Sequence, residues 1–372
     1  MKLWIVVTIC CCMFLLAGCW DQRLLKESSL ILGMGLDLTE NQKIEDTFLY
    51  PKSVKGADIQ QKSITISAKG NTVHTAREQI DQKIAERLDA SKNRFFLFGE
   101  KLAAHGLYSV LDIIYRDAKG PSNAQVAVVK GSAKEALFLH PKDTYLASEY
   151  YPKLLKSAEK SGLIQNHTIQ SICSAIFATG KDFMIPLITI HKPEQRANIT
   201  GLAMFHHDKF VGTLNITEAK MFLLLMNAPT HQHISFNLKI HENEKKREKN
   251  FINVVSSQIH SDMKIHHNSN AKLDVRMYLK VKFIINEYAK NGLTNQKKIE
   301  DVSRKIQKQL TQLANRTVSK MQQVNCDGLG MGQNVQAYHA DTWKHINWDT
   351  VYPHLPIKIH ITTEIINHGV IN

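Results

Sequence analysis

The residues with the clearest chemistry are Leu16-Ala17-Gly18-Cys19. They close an N-terminal stretch with one charge, Lys2, and an apolar run from Leu3 to Ala17. A charged start, an apolar run and a small-residue ending form the layout of a secretory signal peptide. Leucine three positions before a cysteine, with two small residues between, is the lipobox read by bacterial lipoprotein signal peptidase. The predicted chemistry is thioether formation: Cys19 Sγ takes diacylglycerol, residues 1–18 are removed, and the new amino terminus can accept a further acyl chain. Two or three chains suffice for stable anchoring.

The other reactive residue types show no pattern of that strength. Histidine is abundant, at 18 residues, with pairs at His206-His207 and His266-His267 and an alternate spacing at His231 and His233. None has the His-Glu-x-x-His spacing or the cysteine pair that places ligands on a metal, so no metal site is expected. Gly33-Met34-Gly35 lacks the third glycine of a dinucleotide fingerprint and reads as a strand-end turn. Gly328-Leu329-Gly330-Met331-Gly332 follows a helical pattern and precedes none, so these glycines are expected to serve backbone bends rather than a phosphate cradle. The chain has no nucleophile elbow, P-loop or zincin motif, and no catalytic residue or cofactor is expected beyond the acyl groups on Cys19. Cys173 and Cys326 read as buried free thiols.

The elements that must position these residues come from composition and periodicity. An apolar content of 43% with 22% charge fits a globular chain. The net charge of +13 reads, for a lipid-anchored protein, as attraction to anionic lipid headgroups; no nucleic-acid motif accompanies it. Val73, Ala76, Ile80, Ile84 and Leu88 recur at helical steps, and Arg94 to Phe98 and Ala124 to Lys130 read as buried strands. Helical patterns dominate Ala133 to Phe177. A hairpin is expected over Ile199 to Leu214, with its turn at His206-His207-Asp208-Lys209. Strands follow at Ile234 to Ile240, Ile252 to Ile259 and Lys272 to Glu287, then a long helix from Gln296 to Val324 and a closing strand from Ile357 to Ile365. This order predicts a multi-domain α+β protein with mainly antiparallel sheets packed against helices. The expected divisions are a signal peptide (1–18), an N-terminal α/β region (19–192) that itself splits in two, and a C-terminal α+β domain (193–372).

Several short motifs, in order, carry a resemblance over nearly the whole chain. They are Cys19-Trp20-Asp21, Gly33-Met34-Gly35-Leu36-Asp37, Phe98-Gly99-Glu100 with Leu102-Ala103 and Gly106-Leu107, Arg116-Asp117, Asp327-Gly328-Leu329-Gly330, Trp343 with Trp348, and Gly369. Together they resemble the Ger(x)C lipoproteins, the C-subunits of spore nutrient germination receptors. The resemblance implies a non-enzymatic subunit on the outer surface of the spore inner membrane, acting with two multi-spanning membrane subunits. Phe98, Gly99, Glu100, Arg116 and Asp117 are then expected to form a structural or docking element, most simply with Glu100 and Arg116 paired. The reading from another class is a solute-binding lipoprotein of a transporter. Its alternating βαβ pattern and two-lobed cleft fit poorly with the long alternating strand at Lys272 to Glu287.

Overall fold

The computed structural model describes Trp4 and residues 28–54, 60–117, 120–139, 141, 147–226, 233–242, 244–267, 273–290, 292–293 and 295–367. Cys19, Trp20, Asp21, His231 and Gly369 lie outside the described residues.

The first half contains β1 (Ser28–Leu30), β2 (Gly33–Leu38), β3 (Ile44–Val54), β4 (Gln60–Gly70), α1 (Val73–Asp81), β5 (Arg87–Asp89), β6 (Phe95–Gly99), α2 (Glu100–His105), α3 (Tyr108–Arg116) and β7 (Gln125–Val129). Then come α4 (Ala133–Leu137), α5 (Ala147–Lys160), α6 (Ile169–Ile176), β8 (Met184–His191), β9 (Arg196–His206), β10 (Lys209–Asn215) and α7 (Ile216–Leu225). The second half holds β11 (Ser235–Lys239), β12 (Phe251–His267), β13 (Leu273–Glu287), α8 (Gln296–Gln323), α9 (Met331–Tyr338), α10 (Ala340–Trp343), α11 (Trp348–Val351) and β14 (Ile357–Asn367).

An eight-stranded sheet runs in the order β10-β9-β8-β7-β6-β2-β3-β4. Its centre, β2-β6-β7-β8, is parallel, and antiparallel meanders flank it on both sides. Central parallel strands are covered on both faces and therefore read as unbroken apolar runs. That is why Phe95 to Phe98 and Val126 to Val129 are all buried. One face packs on α2, α3 and α6 through Leu102, Val110, Leu111, Ile169 and Ile172. The other packs on α4, α5 and α7 through Ala133, Leu137, Tyr151, Leu155 and Phe222. The long helical stretch after Ala133 is thus three helices, and Ser132 and Thr168 cap the first and the last of them.

Gly33 and Gly35 lie inside β2, not in a turn. A Cβ on Gly33 would sit 2.3 Å from the Phe95 ring and one on Gly35 2.9 Å from Leu137, so both glycines admit close packing on a strand. The expected boundary between residues 192 and 193 falls at the turn between β8 and β9, which pair in register from Met184↔Met204 to His191↔Arg196. The hairpin β9–β10 is therefore part of the eight-stranded sheet.

The second sheet runs β11-β12-β13-β14. The unbroken alternation in β13 buries Val275, Met277, Leu279, Val281, Phe283 and Ile285 on one face. Val302, Ile306, Leu310 and Leu313 of α8 belong to the same core. The helix is the crossover that lets β14 pair parallel to β13. The α+β architecture of mixed sheets packed against helices is as the sequence predicts, with a parallel centre in the larger sheet.

One buried charge in the larger sheet gives a testable pH dependence. Asp46 in β3 is fully buried; Arg77 Nε lies 3.5 Å from its Oδ2, and among the described residues Oδ1 meets no donor. Burial pushes its carboxyl up to about 7, against the opposing pull of Arg77. The folded state then holds a proton that the unfolded chain has released, so stability falls as pH rises from the ordinary carboxylate range to about 7. Asp46→Asn is expected to remove this slope, which is on the order of 4 kcal/mol across the window. Urea unfolding at acidic and mildly basic pH measures it; a variant that keeps the wild-type slope would refute it.

Candidate functional site

Two buried aspartates join the eight-stranded sheet to the C-terminal helices. Asp182 stands two residues before β8. Its Oδ1 accepts the main-chain N–H of His207 at 2.9 Å and its Oδ2 that of Asp327 at 2.8 Å. One carboxylate thereby ties the tip of the β9–β10 hairpin to the loop that follows α8. The Asp182 N–H in turn donates to the Asp327 carbonyl at 3.0 Å.

Asp327 continues the chain of bonds. Its Oδ1 accepts the Met331 N–H at 2.9 Å, and its Oδ2 accepts the Gly332 N–H at 2.8 Å and the Trp348 indole Nε1–H at 3.1 Å. The glycine-rich segment does precede a helix, α9, which the sequence pattern did not indicate. The anion at that helix start is the protein's own Asp327, placed there by the left-handed turn at Gly330, φ 70°. A Cβ on Gly332 would lie 2.6 Å from both Trp348 Nε1 and Gly180 Cα, so only glycine lets the helix, the indole and the Gly180 loop meet. Trp348 packs between Trp343 and Tyr352 in tilted contacts, at ring separations of 5.8 and 5.9 Å. The Tyr352 hydroxyl donates to the Cys326 carbonyl at 2.9 Å. Burial pushes the Asp327 carboxyl up to about 7, although its N–H donors pull it down. Burial also raises the Cys326 thiol, and Cys173 and Cys326 are both buried and free, so neither is a ready nucleophile.

A cleft of about 460 Å³ opens beside this joint, lined among others by Phe177, Lys181, His207, Trp343 and Asp349. Tyr108 and Phe177 meet edge to face at 5.9 Å and stay largely exposed. At the hairpin tip, His206 Nδ1 lies 3.4 Å from Asp182 Oδ2, and His207 Nε2 lies 3.4 Å from Asp349 Oδ2. The hydrogen bond from His206 to Asp182 raises the affinity of this imidazole for a proton. Asp208 anchors the turn: its carboxylate accepts the Tyr108 N–H at 3.0 Å and its carbonyl the Leu107 N–H at 2.9 Å.

The residues singled out between Phe98 and Asp117 do not form one cluster. Phe98 is in the core. Gly99 leaves room for Asp37, whose carboxylate accepts the N–H groups of Ala133 and Lys134, both at 2.8 Å, and the Ser132 hydroxyl at 3.0 Å. Glu100 opens α2, and its N–H donates to the Gly131 carbonyl at 3.0 Å. Arg116 pairs not with Glu100 but with Asp112 one helical turn back, at 2.9 Å and largely exposed. Such a solvated pair contributes little. The Asp117 carbonyl accepts the Gly120 N–H at 2.7 Å beyond the end of α3. The roles of Asp37, Asp182 and Asp349 were not legible in the sequence, because each has a partner 95 to 145 residues away in the chain.

Comparison with known proteins decides the family. Residues 21–190 match the model of the spore germination protein N-terminal domain, and residues 200–369 match the spore germination B3/GerAC-like C-terminal model. The chain belongs to the GerAC family of spore germination proteins. Within that family it is 22% identical to spore germination protein GerQC of Bacillus cereus, over 100% of this chain and 99% of that one. It is 24% identical to spore germination protein KC of Bacillus subtilis, over 96% and 93% of the two chains. The crystal structure of the GerBC protein superposes with a TM-score of 0.58 at 17% identity, covering 90% of this chain and 97% of that one, so the two share a fold. In the GerAC-family frame, Asp327, Gly330 and Trp348 belong to the joint described above.

Proposed function

We propose that the protein is a lipid-anchored, non-catalytic subunit of a nutrient germination receptor. Cys19 carries the lipid, and the folded body works beside two multi-spanning membrane subunits on the outer surface of the spore inner membrane. The observation that carries this reading is the match to GerAC-family models over both halves of the chain. The lipobox supports the anchor. The fully engaged state of Asp327 and the raised thiols of Cys173 and Cys326 suit a structural joint better than a reacting centre. A net charge of +13 favours an anionic lipid surface.

Dipicolinate release from spores lacking this chain, across amino acids, sugars and nucleosides, tests the reading. A lost response to a defined nutrient set, restored by wild type but not by Cys19→Ala, is expected. Full rescue by a Cys19→Ala protein would refute the anchor. A normal germination response with impaired nutrient uptake would replace the receptor role with solute transport.

A further inference from the structure

We propose that His206, His207 and Asp349 form a binding site for one divalent transition-metal ion, best suited to Zn2+, which clips the β9–β10 hairpin tip to α11. The ligand atoms of the three residues lie within 4.8 Å of one another. His207 Nε2 is 3.4 Å from Asp349 Oδ2, and His206 Nε2 is 4.0 Å from Asp349 Oδ1. Ligands about 2.0–2.1 Å from a tetrahedral Zn2+ stand about 3.3 Å apart, so side-chain movements of up to about 1.5 Å bring all three onto one ion.

Adjacent residues on a strand point to opposite faces. Here His207 occupies the first position of the two-residue turn with φ 53°, in the left-handed region. The turn therefore brings the two rings to one side, with centroids 4.2 Å apart. A non-glycine residue held in this conformation is uncommon.

The second layer is that of a metal-binding histidine. His206 Nδ1 faces the Asp182 carboxylate, which fixes the Nδ1–H tautomer and leaves the Nε2 lone pair on the side of Asp349. Asp182 is itself held by the N–H groups of His207 and Asp327. The Asn325 amide stands 3.4 Å from His206 Nε2 while donating to the Asp349 carbonyl at 3.0 Å, a weak competitor for that lone pair. His207 and Asp349 remain open to solvent, which gives an ion a path in and leaves a fourth position for water. Two imidazoles and one carboxylate favour Zn2+ over Mg2+ or Ca2+, which prefer oxygen ligands.

The test is calorimetric titration of ZnCl2 into the metal-free full chain in detergent, with Tm recorded with and without zinc. One equivalent of Zn2+ is expected to bind at micromolar or lower concentration and to raise Tm. His207→Asn, which tolerates the left-handed turn, and Asp349→Asn each alter an exposed side chain and are expected to weaken binding at least tenfold without changing the zinc-free Tm. Asp182→Asn is expected to weaken binding by about 10–100-fold with all three ligands present. Absence of binding below millimolar zinc would overturn the site. Binding that survives both His207→Asn and Asp349→Asn would assign the ion to other histidines and overturn it equally.

Discussion

Asp327→Ala is expected to destabilise the fold by more than about 3 kcal/mol, since it strands three buried donors at once. The Met331 and Gly332 N–H groups and the Trp348 indole N–H all end on this carboxylate, which is itself buried. Each donor left without a partner in the interior costs about 1–3 kcal/mol, and water reaches such a site only by opening the joint. Asp327→Asn keeps one side-chain oxygen and is expected to lose markedly less. Chemical denaturation followed by tryptophan fluorescence reads both effects, because Trp348 reports on the joint directly. If the alanine variant unfolded within about 1 kcal/mol of wild type, the carboxylate would not be what holds the C-terminal helices to the larger sheet.

Gly99→Ala is expected to cost about as much, through a different residue. A Cβ at this position would lie 2.0 Å from Asp37 Oδ1 and 3.2 Å from the Gly131 carbonyl. Asp37 cannot move away freely, because both its oxygens hold the start of α4. Displacing it strands the Ala133 and Lys134 N–H groups and the Ser132 hydroxyl, a loss of about 3 kcal/mol. The cause is separable by a double-mutant cycle. In an Asp37→Ala background the added methyl meets no carboxylate, and Gly99→Ala is expected to become nearly neutral. Gly131→Ala is a control: its φ is 97° but a Cβ would meet nothing within 4 Å, so only the backbone term of about 1 kcal/mol is expected. Equal losses from Gly99→Ala with and without Asp37 would show that the clash with the carboxylate is not the reason this position is glycine.

These two sites explain why the short motifs behave as they do. Phe98-Gly99-Glu100 and Asp327-Gly328-Leu329-Gly330 each pair glycine with a buried carboxylate that caps a short helix: Asp37 caps α4 and Asp327 caps α9. Neither helix is long enough to be stable alone, so a charge at its start has a large share in placing it. In both cases the aspartate is buried and pushed upward by desolvation, and in both cases main-chain donors offset part of that cost.

Much of the fold was legible from sequence because its signals are local. The alternation from Leu273 to Ile285, the stripe of Val302, Ile306, Leu310 and Leu313, and the hairpin around His207-Asp208 each follow from periodicity within one element. The order of short motifs was enough to place the chain among spore germination proteins, since order and spacing survive where identity has fallen to 22%. The lipid attachment proposed at Cys19 likewise rests on contiguous residues, because a lipoprotein peptidase reads a local motif. Tertiary structure alone decided what depends on distant partners. It drew β9 and β10 into the larger sheet through pairing with β8, across the division expected between residues 192 and 193. It placed Gly33 inside a strand, beneath the Phe95 ring. It brought Asp349 to His207 across 142 residues and Asp182 to Asp327 across 145. The physical reason is the same in each case: a hydrogen bond or ligand set across the fold fixes geometry in space, and a chain carries no periodic trace of a partner it meets only once folded.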